Sequence, residues 1–360
     1  MERGINKESF ARWSEFRPRC AAMPVGSVPH REVGPALDIV LETAPEVPTW
    51  PQLPRRSFLE NMYVQFSEGL PGLQVDVATE KMVEHSELPD AELLTFAEAL
   101  ETNDPTFFAV SPDYAAGLHA LPSLLERLKG PVSFLKGQIT GPVSFCLQVT
   151  DQDRRPILYD DTTRELATEL LTARARWQQE FLQAMAPGAA VLIMVDEPFL
   201  AQWGSGYLSM PEDVVASLLD RMAGVLDCLV GIHICGGTDW SKVAKLPLDV
   251  LNFDAADHLD AIVAHAEAVA TFVAEGGMLA WGAVPNDERV LTLEPKQVAD
   301  SVVEGAGVLA STGLVSREDV LLQSFVAPAC GTGALSIPIA EACLRLNAAT
   351  SQALRSEVMY

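Results

Sequence analysis

The segment GIHICGG, residues 231–237, places two potential metal ligands one residue apart. His233 and Cys235 follow the apolar residues CLVG and come before a pair of glycines. Side chains at positions i and i+2 of a strand project to the same side, so these two could bind one ion. The pair is weak evidence when it stands alone, because buried cysteine packs as a small hydrophobe and a single histidine can belong to the core.

A second thiol strengthens the metal interpretation. Cys330 lies in the segment PACG, at the end of the last apolar run of the chain. One histidine and two cysteines form a ligand set that is typical of catalytic zinc. We therefore predict a Zn²⁺ site at His233, Cys235 and Cys330. The other cysteines are interpreted as packing residues: Cys20, Cys146, Cys228 and Cys343.

Further polar side chains come at or near the ends of apolar runs. They are Ser27, Asp76, Lys136, Gln138, Asp196, Glu197 and Asp254. A solvated turn would explain Asp196 and Glu197, and Lys136 could extend to the surface. A carboxylate that ends a buried strand, however, usually has a partner. We therefore expect these residues to lie close to the predicted metal ligands.

Eight short apolar runs could position these residues. Their apolar residues are continuous rather than alternating, which is typical of buried parallel strands. The runs are residues 20–29, 72–78, 131–141, 189–198, 228–237, 248–256, 277–285 and 319–331. Helical patterns separate them, and one of these begins at Ser209, a predicted N-cap. The alternation predicts a single (β/α)8 TIM barrel, with a doubly wound open sheet as the alternative.

The barrel is predicted to span residues 20–346, between an N-terminal extension (1–19) and a C-terminal tail (347–360). The proline-rich segment 30–60 is predicted to form a long loop over one end. In a barrel, the carboxyl ends of the strands form the active site. This placement would bring the polar residues together although they are distant in sequence.

The charge of the chain excludes several classes of partner. The formal net charge is -24 over 360 residues, and such a surface repels nucleic acids and anionic membranes. The N-terminal sequence MERGINKESFARW has no apolar signal core, and no apolar run is long enough to cross a bilayer. The wide, irregular spacing of the cysteines does not fit a disulfide framework. We therefore expect a cytoplasmic protein without nucleic-acid or membrane partners.

Taken together, the motifs resemble the C-terminal catalytic barrel of cobalamin-independent methionine synthase. More broadly, they resemble the superfamily of uroporphyrinogen decarboxylase and the zinc-dependent corrinoid methyltransferases. The matching segments occur in this order between residues 20 and 345: VGSVP, MVEH, LKGQITGP, VDEP, IHIC, DVLNFDAAD and PACG.

The resemblance implies a ligand set and a substrate pocket. Zinc would be held by His233, Cys235, Asp254 and Cys330, with Asp254 where the family has Glu. An amino acid thiol, homocysteine in the family, would be held by Ser27, Asp76 and Asp196, with Asp76 again replacing Glu. Glu197, Lys136 and Gln138 are expected to line the same pocket.

Two departures from the family bear on the methyl donor. The second, N-terminal barrel that helps full-length enzymes to hold folate is not found here. The segment WGAVPND also has no histidine where the family has one that delivers a proton to the folate. The expected donor is therefore a methylated corrinoid or a corrinoid protein.

Two other functions remain as alternatives to methyl transfer. Metal-free decarboxylation of a porphyrinogen would need arginines near the first strand, where MPVGSVPHREV offers only Arg31. A non-catalytic zinc-binding barrel subunit would have a closed site with four ligands and no exchangeable position.

Overall fold

The computed structural model describes residues 16–85, 88–130, 132–203 and 210–358. The strands in these residues are β1 (Ala21–Ala22), β2 (Leu73–Asp76), β3 (Lys81–Glu84), β4 (Phe134–Thr140), β5 (Thr150–Asp151), β6 (Ala190–Asp196), β7 (Leu229–Ile234), β8 (Val250–Asp254), β9 (Met278–Val284) and β10 (Ser324–Pro328).

The described helices alternate with the strands over much of the chain. They are α1 (Val33–Thr43), α2 (Asp90–Thr102), α3 (Pro105–Phe108), α4 (Ala116–His119), α5 (Leu121–Arg127), α6 (Pro142–Gln148), α7 (Asp161–Met185), α8 (Glu212–Gly224), α9 (Trp240–Val243), α10 (Leu259–Ala264), α11 (Ala266–Ala274), α12 (Pro295–Ala310), α13 (Arg317–Leu322) and α14 (Ile337–Val358). Short 3-10 helices occur at Phe58–Glu60, Ile157–Tyr159, Pro198–Gln202 and Glu288–Leu291.

One parallel sheet forms the centre of the molecule. Its strands follow the order β1-β10-β9-β8-β7-β6-β4, and every neighbouring pair is parallel. The sheet curls, with helices around it. β1, the first strand of the chain, pairs with β10, the last strand, and β1 and β4 are the two edges of the sheet. This arrangement confirms the predicted TIM-like barrel over the open, doubly wound alternative, and it places the carboxyl ends of the strands at one end.

An irregular segment occupies the position between β1 and β4. Residues 46–52 make parallel bridges to the segment after β1, from Gln52 to Ser27, and to β4, from Thr49 to Lys136. The prolines at 45, 48, 51 and 54 recur at every third residue. Because proline has no N–H, such a segment cannot form a continuous ladder. The predicted loop over residues 30–60 therefore contains the segment that takes the place of a second barrel strand.

The prediction of a barrel strand over residues 72–78 is wrong. Residues 73–76 form β2, which pairs antiparallel with β3 in a separate small sheet that also contains β5. β2 alternates between half-buried and exposed residues, whereas every residue of β6 is buried. The alternation is typical of a sheet with one face in water, and it separates β2 from the barrel strands.

Alternate residues of the barrel strands belong to different cores. In β6, Leu192 and Met194 contact the apolar residues inside the barrel, whereas Val191, Ile193 and Val195 pack against the surrounding helices. The interior apolar cluster lies below a layer of buried polar residues that includes Lys136, Gln138 and Asn252. The polar side chains at the carboxyl ends of the strands are therefore supported by a packed apolar cluster inside the barrel.

The expected C-terminal tail begins inside a helix. Residues 347–358 continue α14, and Ser351 Oγ donates a hydrogen bond to Cys20 O at 2.6 Å. Arg355 Nε likewise donates to Arg19 O at 2.8 Å, so this part of the helix supports the entry to β1. Ser209, the predicted N-cap, lies outside the described residues. Within those residues, no helix is long and apolar enough to cross a membrane.

Candidate metal centre

The three predicted zinc ligands come together at the carboxyl end of the barrel. His233 is the penultimate residue of β7, Cys235 directly follows that strand, and Cys330 follows β10. One ligand atom from each residue lies within 4.8 Å of the other two. Among the described residues, this is the only group of three or more His, Cys, Asp or Glu side chains that is compact enough for a metal ion.

The imidazole of His233 is oriented by a neighbouring strand. Its Nδ1 lies 2.6 Å from Asn252 Oδ1, and Asn252 Nδ2 donates to Ala280 O at 2.9 Å. Because the amide nitrogen of Asn252 is thereby committed, its oxygen accepts from Nδ1–H. This leaves His233 Nε2, which is buried and has no hydrogen-bond partner in the described structure, as the nitrogen that can bind a metal. A buried acceptor in this state fits a metal ligand.

The thiols of Cys235 and Cys330 are hydrogen-bonded to each other. A hydrogen bond from Cys330 lowers the pKa of Cys235 well below its usual range. The pKa of Cys330 is raised, first by its hydrogen bond to Cys235 and then by burial. The hydrogen bond therefore favours the ionised form of Cys235 over that of Cys330. Thiolate sulfur and neutral imidazole are ligands that Zn²⁺ prefers, so these residues fit the predicted ion.

The other cysteines have the opposite character. All are free and buried, and burial raises the pKa of Cys20 to about 12 and those of Cys146 and Cys228 further. A buried thiol of this kind is inert. The interpretation of these residues as packing residues agrees with their surroundings.

Asp254, the expected fourth ligand, is not part of the compact group. It ends β8, and its Oδ1 accepts from the backbone N–H of Asp257 at 2.9 Å. Burial raises the pKa of this carboxyl. The side chain closes this local turn and lies apart from the two thiols. The structure thus brings together three of the four predicted ligands.

A cavity of about 410 Å³ opens beside the three ligands. Ser27 lines it, with its Oγ 3.3 Å from the backbone N of Gly333. Gly331 is required at this point, because a Cβ atom there would lie 2.2 Å from Ser27 Oγ. The glycines of the CGTG segment therefore allow the loop after Cys330 to approach Ser27.

Asp196 is the buried acid of the cavity. It ends β6 in register with His233, and its Oδ1 has no hydrogen-bond partner in the described structure. Burial raises the pKa of Asp196 to about 6, against the opposing effects of His233 and Lys136. A buried carboxylate oxygen that lacks a partner is costly, and a cationic group of a ligand would relieve that cost.

Three residues that were expected in the substrate pocket have other contacts instead. Glu197 accepts from the backbone N–H groups of Val143 and Ser144, at 3.0 and 2.8 Å, and so caps α6. Lys136 Nζ donates to Val25 O at 2.6 Å and to Gln138 Oε1 at 3.1 Å. All three side chains are fully buried beneath or beside the cavity and do not line it. The three residues therefore lie next to the cavity without lining it, and their contact with the substrate stays a prediction.

Asp76 is also misplaced by the prediction. It lies in the outer sheet, is exposed, and accepts hydrogen bonds from Thr79. The side-chain bond from Thr79 lowers the pKa of Asp76. This carboxylate does not line the cavity, because the strand that carries it is not a barrel strand.

The sequence predicts a loop over residues 30–60, but it does not indicate that residues of this loop line the cavity. Five of the residues that line the cavity come from positions 52–62: Gln52, Arg55, Glu60, Asn61 and Met62. Tyr63 lies nearby: burial raises its pKa to about 12, with smaller effects from Glu197 and Cys235. The sequence pattern that could have indicated this segment is the proline at every third position. The apolar residues Val47, Trp50 and Leu53 recur at the same interval and are buried.

No family model and no curated protein matches this sequence. Among solved structures, the fold is similar to that of a B12-independent methionine synthase from Shewanella sp. W3-18-1 in complex with selenomethionine. The match has 18% sequence identity and a TM-score of 0.49, and it covers 67% of this chain and 67% of the other. At that identity the similarity concerns the fold and assigns no substrate.

Proposed function

We propose that this protein is a zinc-dependent methyltransferase that activates a thiol, homocysteine in the first instance, for attack on a methyl donor. The observation that carries the proposal is the group formed by His233, Cys235 and Cys330 at the edge of a cavity. The free Nε2 of His233 and the thiolate character of Cys235 fit a metal ion. The unpartnered carboxylate of Asp196 in the same cavity fits the ammonium group of an amino acid.

The number of protein ligands favours a catalytic site over a structural one. Structural zinc sites use four protein ligands, whereas catalytic sites use three and keep one position for solvent or substrate. The compact group has three members, and Asp254 remains in its own turn. This is evidence against a non-catalytic barrel subunit, and a metal-free decarboxylase would leave the ligand group without a role.

A zinc ion at this site would supply one chemical property: it lowers the pKa of a coordinated thiol, so that the sulfur reacts as a thiolate. The residues of the chain do the rest. Asn252 fixes the tautomer and orientation of His233. Asp196 holds the substrate ammonium, and Ser27 places a hydroxyl in the same cavity. These contacts orient the sulfur toward the donor, which is where positioning lowers the barrier.

The loop after β9 supports a corrinoid as the donor. A folate amine must be protonated before it leaves, so its use needs a positioned acid. The loop contains Asp287, whose pKa is lowered by its hydrogen bonds with Arg289. A carboxylate held in its ionised form is a poor proton donor. A corrinoid leaves without a proton and therefore does not need such an acid.

The test is methyl transfer by the zinc-loaded protein. Methylcobalamin and methyltetrahydrofolate are each supplied with homocysteine, and methionine is measured. We expect methionine from methylcobalamin, little from methyltetrahydrofolate, and none from either donor with the Cys330→Ser variant. Turnover by methyltetrahydrofolate alone would overturn the assignment of the donor. Equal turnover by the Cys330→Ser variant would overturn the assignment of the site.

A further inference from the structure

Arg55, an exposed residue that lines the cavity, adds a permanent positive charge to its otherwise anionic wall. The same cavity is lined by Asp196, Glu60 and the thiols of Cys235 and Cys330. A guanidinium stays protonated at every physiological pH. Of the described residues that line this cavity, Arg55 is the only Arg or Lys. An anionic group that enters the cavity therefore meets one cation.

The guanidinium of Arg55 is positioned but not neutralised. Its Nε donates to Gly333 O at 3.1 Å and its Nη2 donates to Ala334 O at 2.6 Å. Both acceptors are uncharged carbonyl groups. Its sequence neighbour Arg56, in contrast, pairs with the carboxylate of Glu60 at 2.8 Å. Among the described residues, no carboxylate lies within the 4.0 Å ion-pair distance of Arg55.

Hydrogen-bond capacity also remains on Arg55. A guanidinium has five N–H donors, and the two carbonyl contacts use two of them. The fork of an arginine matches the two oxygens of a carboxylate, which gives short, strong, directional contacts. The contacts to Gly333 and Ala334 fix this fork to the segment that follows Cys330. The cation and a metal ligand are therefore held by the same loop.

We infer that Arg55 recognises the carboxylate of the thiol substrate and makes the cavity selective for an α-amino acid thiol over the corresponding amine. The inference rests on the proposed function, because the ligand group defines where the sulfur binds. Asp196 then faces the ammonium and Arg55 the carboxylate, so each charge of the zwitterion has a partner of opposite sign. Without Arg55, the thiolates and Asp196 would repel the carboxylate.

The test compares three thiols that share the same chain length. Homocysteine carries both charges, 3-aminopropane-1-thiol lacks the carboxylate, and 4-sulfanylbutanoic acid lacks the ammonium. Binding to the cobalt(II)-substituted protein is followed by the sulfur-to-cobalt absorption band, which requires no methyl donor. The unchanged protein is expected to bind homocysteine at least about tenfold more tightly than 3-aminopropane-1-thiol.

The Arg55→Gln variant should lose this preference. We expect its affinity for homocysteine to fall at least about tenfold while its affinity for 3-aminopropane-1-thiol changes less than about threefold. Arg55→Lys keeps the charge without the fork and should retain part of the preference. The matched control is Arg31→Gln, which removes the same charge from an exposed residue that does not line the cavity. This control should keep the full preference.

The alternatives give different results. If Arg55 only supports the loop at Gly333 and Ala334, Arg55→Gln will weaken the binding of both thiols equally, and the inference is overturned. An unchanged protein without preference for homocysteine over the amine also overturns it. If no thiol alters the cobalt absorption although cobalt is bound, the proposed function itself fails, and the inference fails with it.

Discussion

Asn252 Oδ1 lies 2.6 Å from His233 Nδ1, and this contact decides which nitrogen of the imidazole is free to bind a metal. The two residues are paired in register on neighbouring parallel strands. Asn252 is in turn fixed by its hydrogen bond to Ala280 O on the next strand. The orientation of a metal ligand therefore depends on three adjacent strands of the barrel.

Replacing Asn252 should weaken zinc binding without removing it. In the Asn252→Ala variant, His233 keeps its place but loses the acceptor that fixes its tautomer. We expect zinc affinity to fall about 10–100-fold, as is usual when the partner of a ligating histidine is lost. Competition with a chromogenic chelator measures this. An affinity equal to that of the unchanged protein would show that the tautomer is set by something other than Asn252.

The zinc content of the ligand variants should separate Cys330 from Asp254. The unchanged protein is expected to hold about one zinc per chain. Cys330→Ser should lose most of it because it removes one of three ligands. Asp254→Asn should keep it, since that carboxylate bonds to Asp257 instead. Metal analysis of the purified variants provides the measurement, and loss of zinc from Asp254→Asn would restore Asp254 as a ligand.

Gln138 should be important for stability rather than for binding. It accepts from Thr49 Oγ1 at 2.9 Å and donates to Trp50 O at 3.0 Å, so it fastens the irregular segment at 46–52 to β4. Gln138→Leu leaves several buried polar groups without partners, and we expect a loss of about 3 kcal/mol. Urea unfolding measures it, with the exposed Gln152→Leu as the control. A loss as small as that of the control would contradict this role.

Much of the site could be predicted because the relevant signals are local. Continuous apolar runs located seven of the barrel strands, and the spacing of His233 and Cys235 already put both ligands on one side of β7. Strand ends meet at one end of a parallel barrel, so Cys330 could be placed beside them without any contact information. The physics of buried parallel strands made these predictions reliable.

Most of the incorrect predictions have one physical origin, the irregular segment at 46–52 that takes the place of a second barrel strand. Within residues 46–52, Pro48 and Pro51 lack N–H groups and the apolar residues are not continuous, so the pattern resembles a loop. The hairpin at 73–84 has strand-like residues, and the second barrel strand was therefore predicted there. Asp76 was therefore expected at the end of the barrel, although it lies in the outer sheet. Arg55 and Glu60, which line the cavity, were missed for the same reason. Asp254 lies outside the compact group for a different reason, because its hydrogen bond to the backbone of Asp257 cannot be predicted from spacing.

Glu84 should make the stability of the protein depend on pH. It is buried at the end of β3, its Oε1 has no partner in the described structure, and burial raises its pKa to about 7, with smaller effects from Asp160 and Asp151. The folded state therefore binds this proton more tightly than the unfolded state. The contribution is fully present below the unfolded pKa of about 4.5 and is lost as the pH rises to about 7.

The Glu84→Gln variant isolates this contribution, because glutamine stays neutral. The free energy of unfolding of the unchanged protein, minus that of the variant, should fall by on the order of 1–2 kcal/mol between pH 5 and pH 8. Denaturant unfolding at both pH values provides the comparison. A difference that does not vary with pH would mean that Glu84 titrates normally in the folded protein.

Asp196 should determine whether the cavity binds the ammonium group of its substrate. Its carboxylate is buried beside the ligand group and has a free oxygen, so a cationic group gains a partner there. In Asp196→Asn the charge is lost while the size is kept. Removing one partner of a buried charge pair costs more than tenfold in affinity, so we expect at least that loss for homocysteine. Binding of 4-sulfanylbutanoic acid, which has no ammonium, should change less than about threefold. Absorption of the cobalt-substituted protein measures both affinities, and metal analysis shows whether the variant keeps its ion. Equal weakening for the two thiols would mean that Asp196 supports the metal ligands, and that the ammonium is bound elsewhere in the cavity.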